Sequence, residues 1–212
     1  MWNGACLKEW GSDNIKVEAT RPLDVYDTVL GWVCVLHATK IVHSKWTRNR
    51  MAFMLQPCNI FIVLLSYISF SRTSFAVQCF NFYLHMQWGS WLGVLAADLR
   101  DYHSKLEIGV FFTMHFVLIL FPWYHLYRNT FPILAEDTYS VFCITSMQHY
   151  LFYLPFSLIT GWQVQYMTFP PKQLNFAGRG YRVSMALFHY PVTKLTAAVI
   201  VPFFRAWVSG YE

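Results

Sequence analysis

The chain has 212 residues, of which 56% are hydrophobic, 19% are aromatic and only 13% are charged. A soluble domain usually carries about 25% charged residues, so this composition excludes most soluble folds, coiled coils and disordered chains. It predicts an all-α, polytopic membrane bundle. The net charge of +5 comes from basic residues scattered between apolar stretches rather than pooled in one patch, so no nucleic-acid partner is expected.

The apolar stretches predict six transmembrane helices. A polar segment, residues 1–24, comes first and lacks the apolar core of a secretory signal. A spanning helix needs about 20 mostly apolar residues. The stretches that meet this need cover residues 26–43, 51–71, 75–97, 106–127, 139–161 and 182–208. The first is the weakest, because it contains Asp27, His37 and Lys40. The loops are short, so residues 1–212 are predicted to form a single integral membrane domain.

The basic residues in the loops predict an orientation. They are more frequent after the first, third and fifth spans than on the opposite side. Those three loops are therefore expected to face the cytoplasm, or the matrix of a mitochondrion. Endomembranes and the mitochondrial inner membrane both remain open as the location. Arg50, Lys105 and Arg182 lie at the ends of spans on this side and form a predicted mouth for a lipid phosphate.

Histidines are unusually frequent inside the predicted spans. Ionisable side chains within a membrane are costly and usually face the interior of a bundle. The histidines in question are His37, His85, His115, His149 and His189. At about 1.5 Å per residue, Cys58 and His189 lie about 10 Å, and His115 about 13 Å, from the basic side. We therefore expect Cys58, His115 and His189 to share one layer inside the bundle.

A thiol beside imidazoles can form a nucleophilic site, in which the imidazole takes the thiol proton and the thiolate attacks an acyl carbonyl. The alternative is that the histidines hold the helices together through hydrogen bonds. A metal or haem site is a third interpretation, but no regular ligand spacing supports it, so no metal and no cofactor are expected. Pro57, within the second span, predicts a kink that frees the Phe53 carbonyl and opens a pocket beside Cys58.

Several short segments lie in the same order as motifs of a known membrane-protein family. Leu55–Asn59 is similar to an Asn-Pro-Cys-His motif, and Leu84–Gly89 is similar to a Met-His-Met-Leu-Asn-Gly segment. The family's later histidine segments are matched by Glu107–His115, by the region of His149, and by Gly180–Lys194 with His189. Together these segments, which cover about residues 50–200, resemble the transmembrane protein 164 family.

The resemblance implies an integral membrane acyltransferase with six or a similar number of spans. Such a protein moves a fatty acyl chain onto ether lysophospholipids through an acyl-cysteine. By this resemblance Cys58 is the nucleophile and His115 is its partner, and we expect His189, His149 and His85 to support them. The androgen-induced-gene hydrolases, which are distantly similar, use a threonine and a histidine on a comparable bundle.

The chain also departs from the family pattern, since Asn59 and Tyr181 replace two of its histidines. Two functions are therefore considered. The first is acyl transfer to a lysophospholipid, or lipid hydrolysis, with membrane phospholipids as partners. The second is a non-catalytic accessory or structural subunit of a larger membrane complex, for example a respiratory assembly of the mitochondrial inner membrane. In that case the other subunits of the complex are the partners.

Overall fold

The computed structural model describes residues 19–99, 102–134, 138–162, 164, 178, 180–200, 202–203 and 206. Most of the predicted polar segment 1–24 lies outside these residues. Every regular element in the described part is helical, which confirms the predicted all-α class. The α-helices are α1 (Val25–Thr47), α2 (Pro57–Phe70), α3 (Ser74–Met86), α4 (Trp88–Leu95), α5 (Lys105–Tyr127), α6 (Thr138–Met147), α7 (Leu154–Thr160) and α8 (Tyr181–Leu195). A 3₁₀ turn precedes α2 (Met51–Leu55), and π-helical turns follow α6 (Gln148–Tyr153) and α8 (Thr196–Ile200).

Within these residues, α1 and α5 are the two helices long and apolar enough to cross a membrane. Each has 23 residues. At about 1.5 Å per residue that length is roughly 34 Å, slightly more than the hydrocarbon core of about 30 Å. The other helices are shorter, and α2 is an apolar helix of 14 residues. The two long helices are therefore the candidate membrane spans.

The two long helices end in the same way. Asn49 follows α1 and Asn129 follows α5, and both have a positive φ, of 53° and 49°. Asparagine tolerates this left-handed conformation better than most residues. The next residue can then bond back to the last turn: the N–H of Arg50 donates to the Lys45 carbonyl at 2.8 Å, and the matching bond closes α5 at 2.9 Å. Each helix thus ends in a Schellman motif, which satisfies carbonyls that the helix leaves free.

The second predicted span does not contain a proline kink, so that expectation is wrong. Pro57 is the first residue of α2. A proline there loses nothing, because the first N–H groups of a helix have no partner within it, and its fixed φ suits a helix start. The Phe53 carbonyl is not left open either, since the side-chain amide of Asn59 donates to it at 2.7 Å. The 3₁₀ turn and α2 are therefore joined by this hydrogen bond.

Two further predicted spans contain irregular turns. The span 75–97 corresponds to α3 and α4, which are separated at Gln87. Gln87 keeps right-handed helical dihedral angles, and its side-chain amide donates to the Ile119 carbonyl of α5 at 2.9 Å. The span 139–161 corresponds to α6, a π-helical turn and α7, which follow one another without a gap. Such turns within helices often lie at functional sites.

The core lies around α3, whose side chains are buried on most of its surface. Residues of α2 and α5, including Leu65 and Leu118, belong to the same buried cluster. Helix α1 packs along α2, and this contact requires Gly31: a Cβ atom there would lie 2.6 Å from the Phe70 ring. The helices that carry the predicted nucleophile and its predicted base, α2 and α5, thus pack against a common central helix.

Candidate functional site

Cys58 lies in the first turn of α2, as a half-buried free thiol packed against the core. The sulfur is 3.9 Å from the side-chain oxygen of Asn59. The Lys45 ammonium is near enough to favour negative charge at the sulfur, and Tyr83 and Tyr153 lie in the same neighbourhood. The N-terminal end of a helix carries a partial positive charge. Burial is the largest influence and disfavours negative charge at the sulfur, and this helix end and Lys45 offset part of it.

His115 lies on α5 and is 3% exposed. Its Nδ1 is 2.8 Å from the Phe111 carbonyl, so the ring proton sits on Nδ1 in this bond. The other ring nitrogen, Nε2, then carries the lone pair and is the basic atom. The ring lies against Gly93 of α4, where a Cβ atom would be 2.4 Å from Nε2. Glycine at position 93 therefore provides the space that the basic nitrogen occupies.

The structure brings Cys58 and His115 onto packed helices but does not bond them to each other. Helices α2 and α5 are in contact, and Cys58 packs against the cluster that contains Met114. Among the described residues, no hydrogen bond or electrostatic interaction joins Cys58 to His115. A proton transfer between the two side chains would therefore need a bridging water or a side-chain movement.

His189 is the centre of a ring cluster and is 9% exposed. Its ring centroid lies 5.4 Å from Trp88, 5.5 Å from Phe142 and 5.8 Å from His149. The Nδ1 of His149 bonds to the Thr145 carbonyl at 2.7 Å. In the described part of the chain, no three His, Cys, Asp or Glu side chains are grouped so as to hold a metal ion.

Tyr153 links this ring cluster to the thiol. Its ring centroid is 5.4 Å from that of His149, and it lies in the neighbourhood of Cys58. Neither Tyr153 nor Trp88 was among the residues predicted for the site. The available signal was their spacing: Tyr153 follows His149 by four positions, one helical turn, and Trp88 follows His85 by three.

Most of the predicted histidines bond within their own helix. The Nδ1 of His85, which is 2% exposed on α3, bonds to the Asn81 carbonyl at 2.9 Å. His37, His115 and His149 each bond in the same way to the carbonyl four residues earlier. Of these four, His37 also has a contact between helices, from its Nε2 to Thr113 Oγ1 at 3.4 Å. The Nδ1 bonds of His85, His115 and His149 lie within their own helices. These bonds therefore do not hold two helices together.

The three basic residues that were predicted to bind a lipid phosphate have different surroundings in the structure. Arg50 lies over the Phe53 ring, with its guanidinium carbon 6.0 Å from the centroid. Lys105 begins α5 and is exposed. The side chain of Arg182 lies outside the described residues. Beside them, Arg48 forms an ion pair with Glu107 at 2.7 Å, which ties the loop after α1 to the start of α5.

A cleft opens beside the end of α1, at the end of the molecule where Arg48 and Glu107 form their ion pair. It has a volume of about 340 Å³. Its lining residues are Trp46, Asn49, Met51, Ala52 and Trp162. Tryptophan is enriched where a membrane protein crosses from hydrocarbon to water. The two tryptophans are therefore consistent with a membrane surface at this end.

The opposite end holds a buried ionic network that the sequence did not reveal. Asp27, which is 3% exposed, accepts a hydrogen bond from the Arg72 guanidinium and one from the Tyr124 hydroxyl at 3.3 Å. The Nδ1 of His125 lies 3.8 Å from the same carboxylate. In the sequence, Asp27 lowers the apolar character of the first predicted span. In the structure, it joins α1 to the start of α3 and the end of α5.

Asp24 caps α1 beside this network. Its carboxylate accepts from the Asp27 N–H at 3.0 Å, and it is paired with the Arg128 guanidinium. The Asp27 N–H and, to a smaller extent, Arg128 hold the pKa of Asp24 below its usual value. The cap therefore stays ionised to a lower pH than a free aspartate would.

The all-helical fold and its two long apolar helices indicate a membrane protein. Over 140 residues the sequence is 27% identical to a transmembrane protein 164 homolog from Dictyostelium discoideum, with 63% of this chain and 50% of the relative covered. This similarity confirms the predicted resemblance and supports a diverged member of the transmembrane protein 164 family. The chain spans about half the length of the curated relative it matches. No family model matches the chain, and no solved structure matches it.

Proposed function

We propose that the chain is a membrane acyltransferase in which Cys58 is the nucleophile and His115 is the base. The observation that carries this proposal is the placement of Cys58 in the first turn of α2, a helix that packs against α5, which carries His115. A cysteine at a helix N-terminus with a nearby lysine is the environment in which protein thiols become reactive. The similarity to the transmembrane protein 164 homolog supports a membrane protein of this kind.

The proposed bundle has six spans in a single domain. Besides α1 and α5, four helical stretches correspond to the predicted spans: residues 51–70, 74–95, 138–160 and 181–200. Each is about 20 residues or more, the length that a membrane crossing needs. Irregular turns divide these stretches, and such turns are tolerated in a membrane where neighbouring helices satisfy the freed backbone groups.

The proposed reaction has two steps. In the first, the Cys58 thiolate attacks the acyl carbonyl of a donor phospholipid, so that a C–S bond forms and the ester C–O bond breaks. His115 takes the thiol proton through a bridging water and gives it to the oxygen of the leaving lysophospholipid, which departs as a hydroxyl. In the second, His115 takes the proton of a lysophospholipid hydroxyl, whose oxygen attacks the thioester. A new ester bond forms, the C–S bond breaks, and the sulfur is reprotonated.

The basic end of the bundle fits the phospholipid headgroup. Lys105 is exposed at the start of α5, and Lys45 is close enough to Cys58 for an electrostatic interaction. A phosphate held by such cations leaves the acyl ester nearer the hydrocarbon, where the thiol lies. We propose that Arg50, Lys105 and Arg182 bind the phosphate, and that His189, His149 and His85 support the reacting pair.

A non-catalytic subunit of a membrane complex is the second candidate. The observation that favours it is Asn59, which replaces a histidine of the family and is 3% exposed. Its amide is used to hold the Phe53 carbonyl. The position next to the thiol thus has a structural role in this chain.

A thioester-trapping experiment separates the two candidates. The purified protein is incubated with a phospholipid that carries an alkyne-tagged acyl chain, and the labelled peptide is identified by mass spectrometry. We expect a hydroxylamine-sensitive label on Cys58 and none on Cys34, Cys79 or Cys143. Equal labelling of all four cysteines, or no label, would favour the structural subunit.

Gly93→Ala tests the position of His115. The added methyl group would overlap the imidazole, because the Cβ atom lies 2.2 Å from Cδ2 and 2.4 Å from Nε2. A displacement of about 1 Å can lower a rate about 100-fold, so we expect a loss of that order in acyl transfer. Gly89→Ala is the matched control, since its Cβ atom would meet nothing within 4 Å. Equal activity of the two variants would contradict a role for His115 as the base.

A further inference from the structure

Trp88 and His189 each have a buried polar atom that is not satisfied. In the part of the chain that the structure describes, Trp88 Nε1 and His189 Nε2 have no hydrogen-bond partner. The two rings are adjacent, with centroids 5.4 Å apart. The indole N–H can only donate, so its missing partner must be an acceptor. Buried polar groups in proteins are almost always paired, and an unpaired one requires an explanation, such as an ordered water or a bound group.

His189 also differs from the other histidines of the site. His85, His115 and His149 each donate Nδ1–H to the carbonyl one turn earlier, which leaves a lone pair on Nε2. The Nε2 of His189 is instead buried without a hydrogen-bond partner in the described part of the chain. A neutral imidazole carries its proton on one of its two nitrogens, and here the proton can lie on Nε2. In that tautomer, His189 Nε2 and Trp88 Nε1 are two adjacent donors.

The surroundings of this pair are hydrocarbon and aromatic. Phe142 lies 5.5 Å from His189 and Phe188 lies 6.5 Å from Trp88, as measured between ring centroids. The pair is also connected to the thiol, because His149 adjoins both His189 and Tyr153. An acceptor for this pair therefore has to fit among apolar side chains.

We infer that Trp88 and His189 together bind the carbonyl oxygen of a phospholipid acyl ester. A carbonyl oxygen has two acceptor sites and no donor, so it satisfies both N–H groups at once. The adjoining aromatic rings accept the acyl chain. This inference deepens the proposed function and rests on its lipid substrate, but it does not require that Cys58 be a nucleophile.

The test compares two lipids that differ only in the carbonyl groups. In the Cys58→Ala protein, which prevents turnover, the dissociation constants of a diester phosphatidylcholine and of its dialkyl-ether analogue with equal chains are measured in detergent. We expect the diester to bind about 10-fold more tightly, the order of effect of one or two hydrogen bonds. Trp88→Phe, which removes the N–H and keeps an aromatic ring, should bring the ratio close to one.

Matched variants make the outcome specific. Trp91→Phe changes a partly exposed tryptophan of the same helix and should leave the ratio unchanged. His189→Phe should abolish the preference, whereas His189→Gln, whose amide still donates, should keep part of it. Circular dichroism and the unfolding midpoint establish that each variant is folded, and the two His189 variants carry the test if Trp88→Phe does not fold.

Two results would overturn the inference. The first is equal affinity for the two lipids in the Cys58→Ala protein, which would mean that Trp88 and His189 bind water. The second is an ester preference that survives both Trp88→Phe and His189→Phe.

Failure of the proposed function would give a different result. If the ester preference depends on Trp88 but the wild-type protein forms no thioester and transfers no acyl group, the lipid site stands and the nucleophilic role of Cys58 does not.

Discussion

Cys58→Ala is expected to lower acyl transfer at least about 1000-fold, because the covalent intermediate cannot form without the sulfur. The measurement is the rate at which labelled acyl chains move from a donor phospholipid to a lysophospholipid in reconstituted vesicles. Cys143→Ala is the matched control, since Cys143 is also a half-buried cysteine outside any disulfide but lies on α6. Its rate should remain near that of the wild-type protein.

The partner residue should show the same behaviour. His115→Ala is expected to cause a loss of similar size, and the Cys58→Ala/His115→Ala double variant should be no slower than either single variant, because residues that act as a unit have non-additive effects. Losses that multiply in the double variant would mean that the two residues act independently. A Cys58→Ala protein with wild-type activity would remove the proposed nucleophile.

Arg72→Met is expected to lower the free energy of unfolding by about 3 kcal/mol or more, because it leaves the Asp27 carboxylate buried without its cation. The Arg72 side chain is 16% exposed and that of Asp27 is 4% exposed, so water cannot replace the missing charge. The Tyr124 hydroxyl remains within 3.3 Å, but it is neutral. Equilibrium unfolding of the detergent-solubilised protein measures the difference.

Arg21→Met is the control for this prediction. The Arg21 side chain is 41% exposed where it faces Asp24 at 3.8 Å, and an exposed pair of this kind contributes about 1 kcal/mol or less. The Arg72→Met/Asp27→Leu double variant should recover much of the lost stability, since replacing both partners removes the unpaired charge. Equal losses for Arg21→Met and Arg72→Met would show that the buried pair does not anchor α1.

The helical membrane character of this protein could be predicted from the sequence alone. Low charge and long apolar stretches are properties of composition and of neighbouring residues, and the long helices α1 and α5 lie at two of the predicted spans. The family resemblance was also contained in the sequence, since it depends on the order of short motifs around Cys58 and the histidines. These features require no knowledge of how distant segments pack.

The irregular turns were harder to predict, because a proline or glutamine has different effects at different places in a helix. Pro57 starts a helix rather than bending one, and that outcome depends on Asn59, which holds the preceding turn. Gln87 interrupts a predicted span, and its side chain bonds to a carbonyl of α5, more than 30 positions away. Hydropathy averages over a window do not detect either contact.

Only the tertiary structure could decide which polar side chains meet. Asp27 pairs with Arg72 and Tyr124, which are 45 and 97 positions away along the chain. Trp88 and His189 are 101 positions apart along the chain. Only the packing shows that their rings are adjacent and that Trp88 Nε1 and His189 Nε2 lack hydrogen-bond partners among the described residues. The sequence determined which residues are available and which segments are helical. The packing of α1, α4, α5 and α8 determined the partners, because side chains far apart in sequence interact only after their helices pack together.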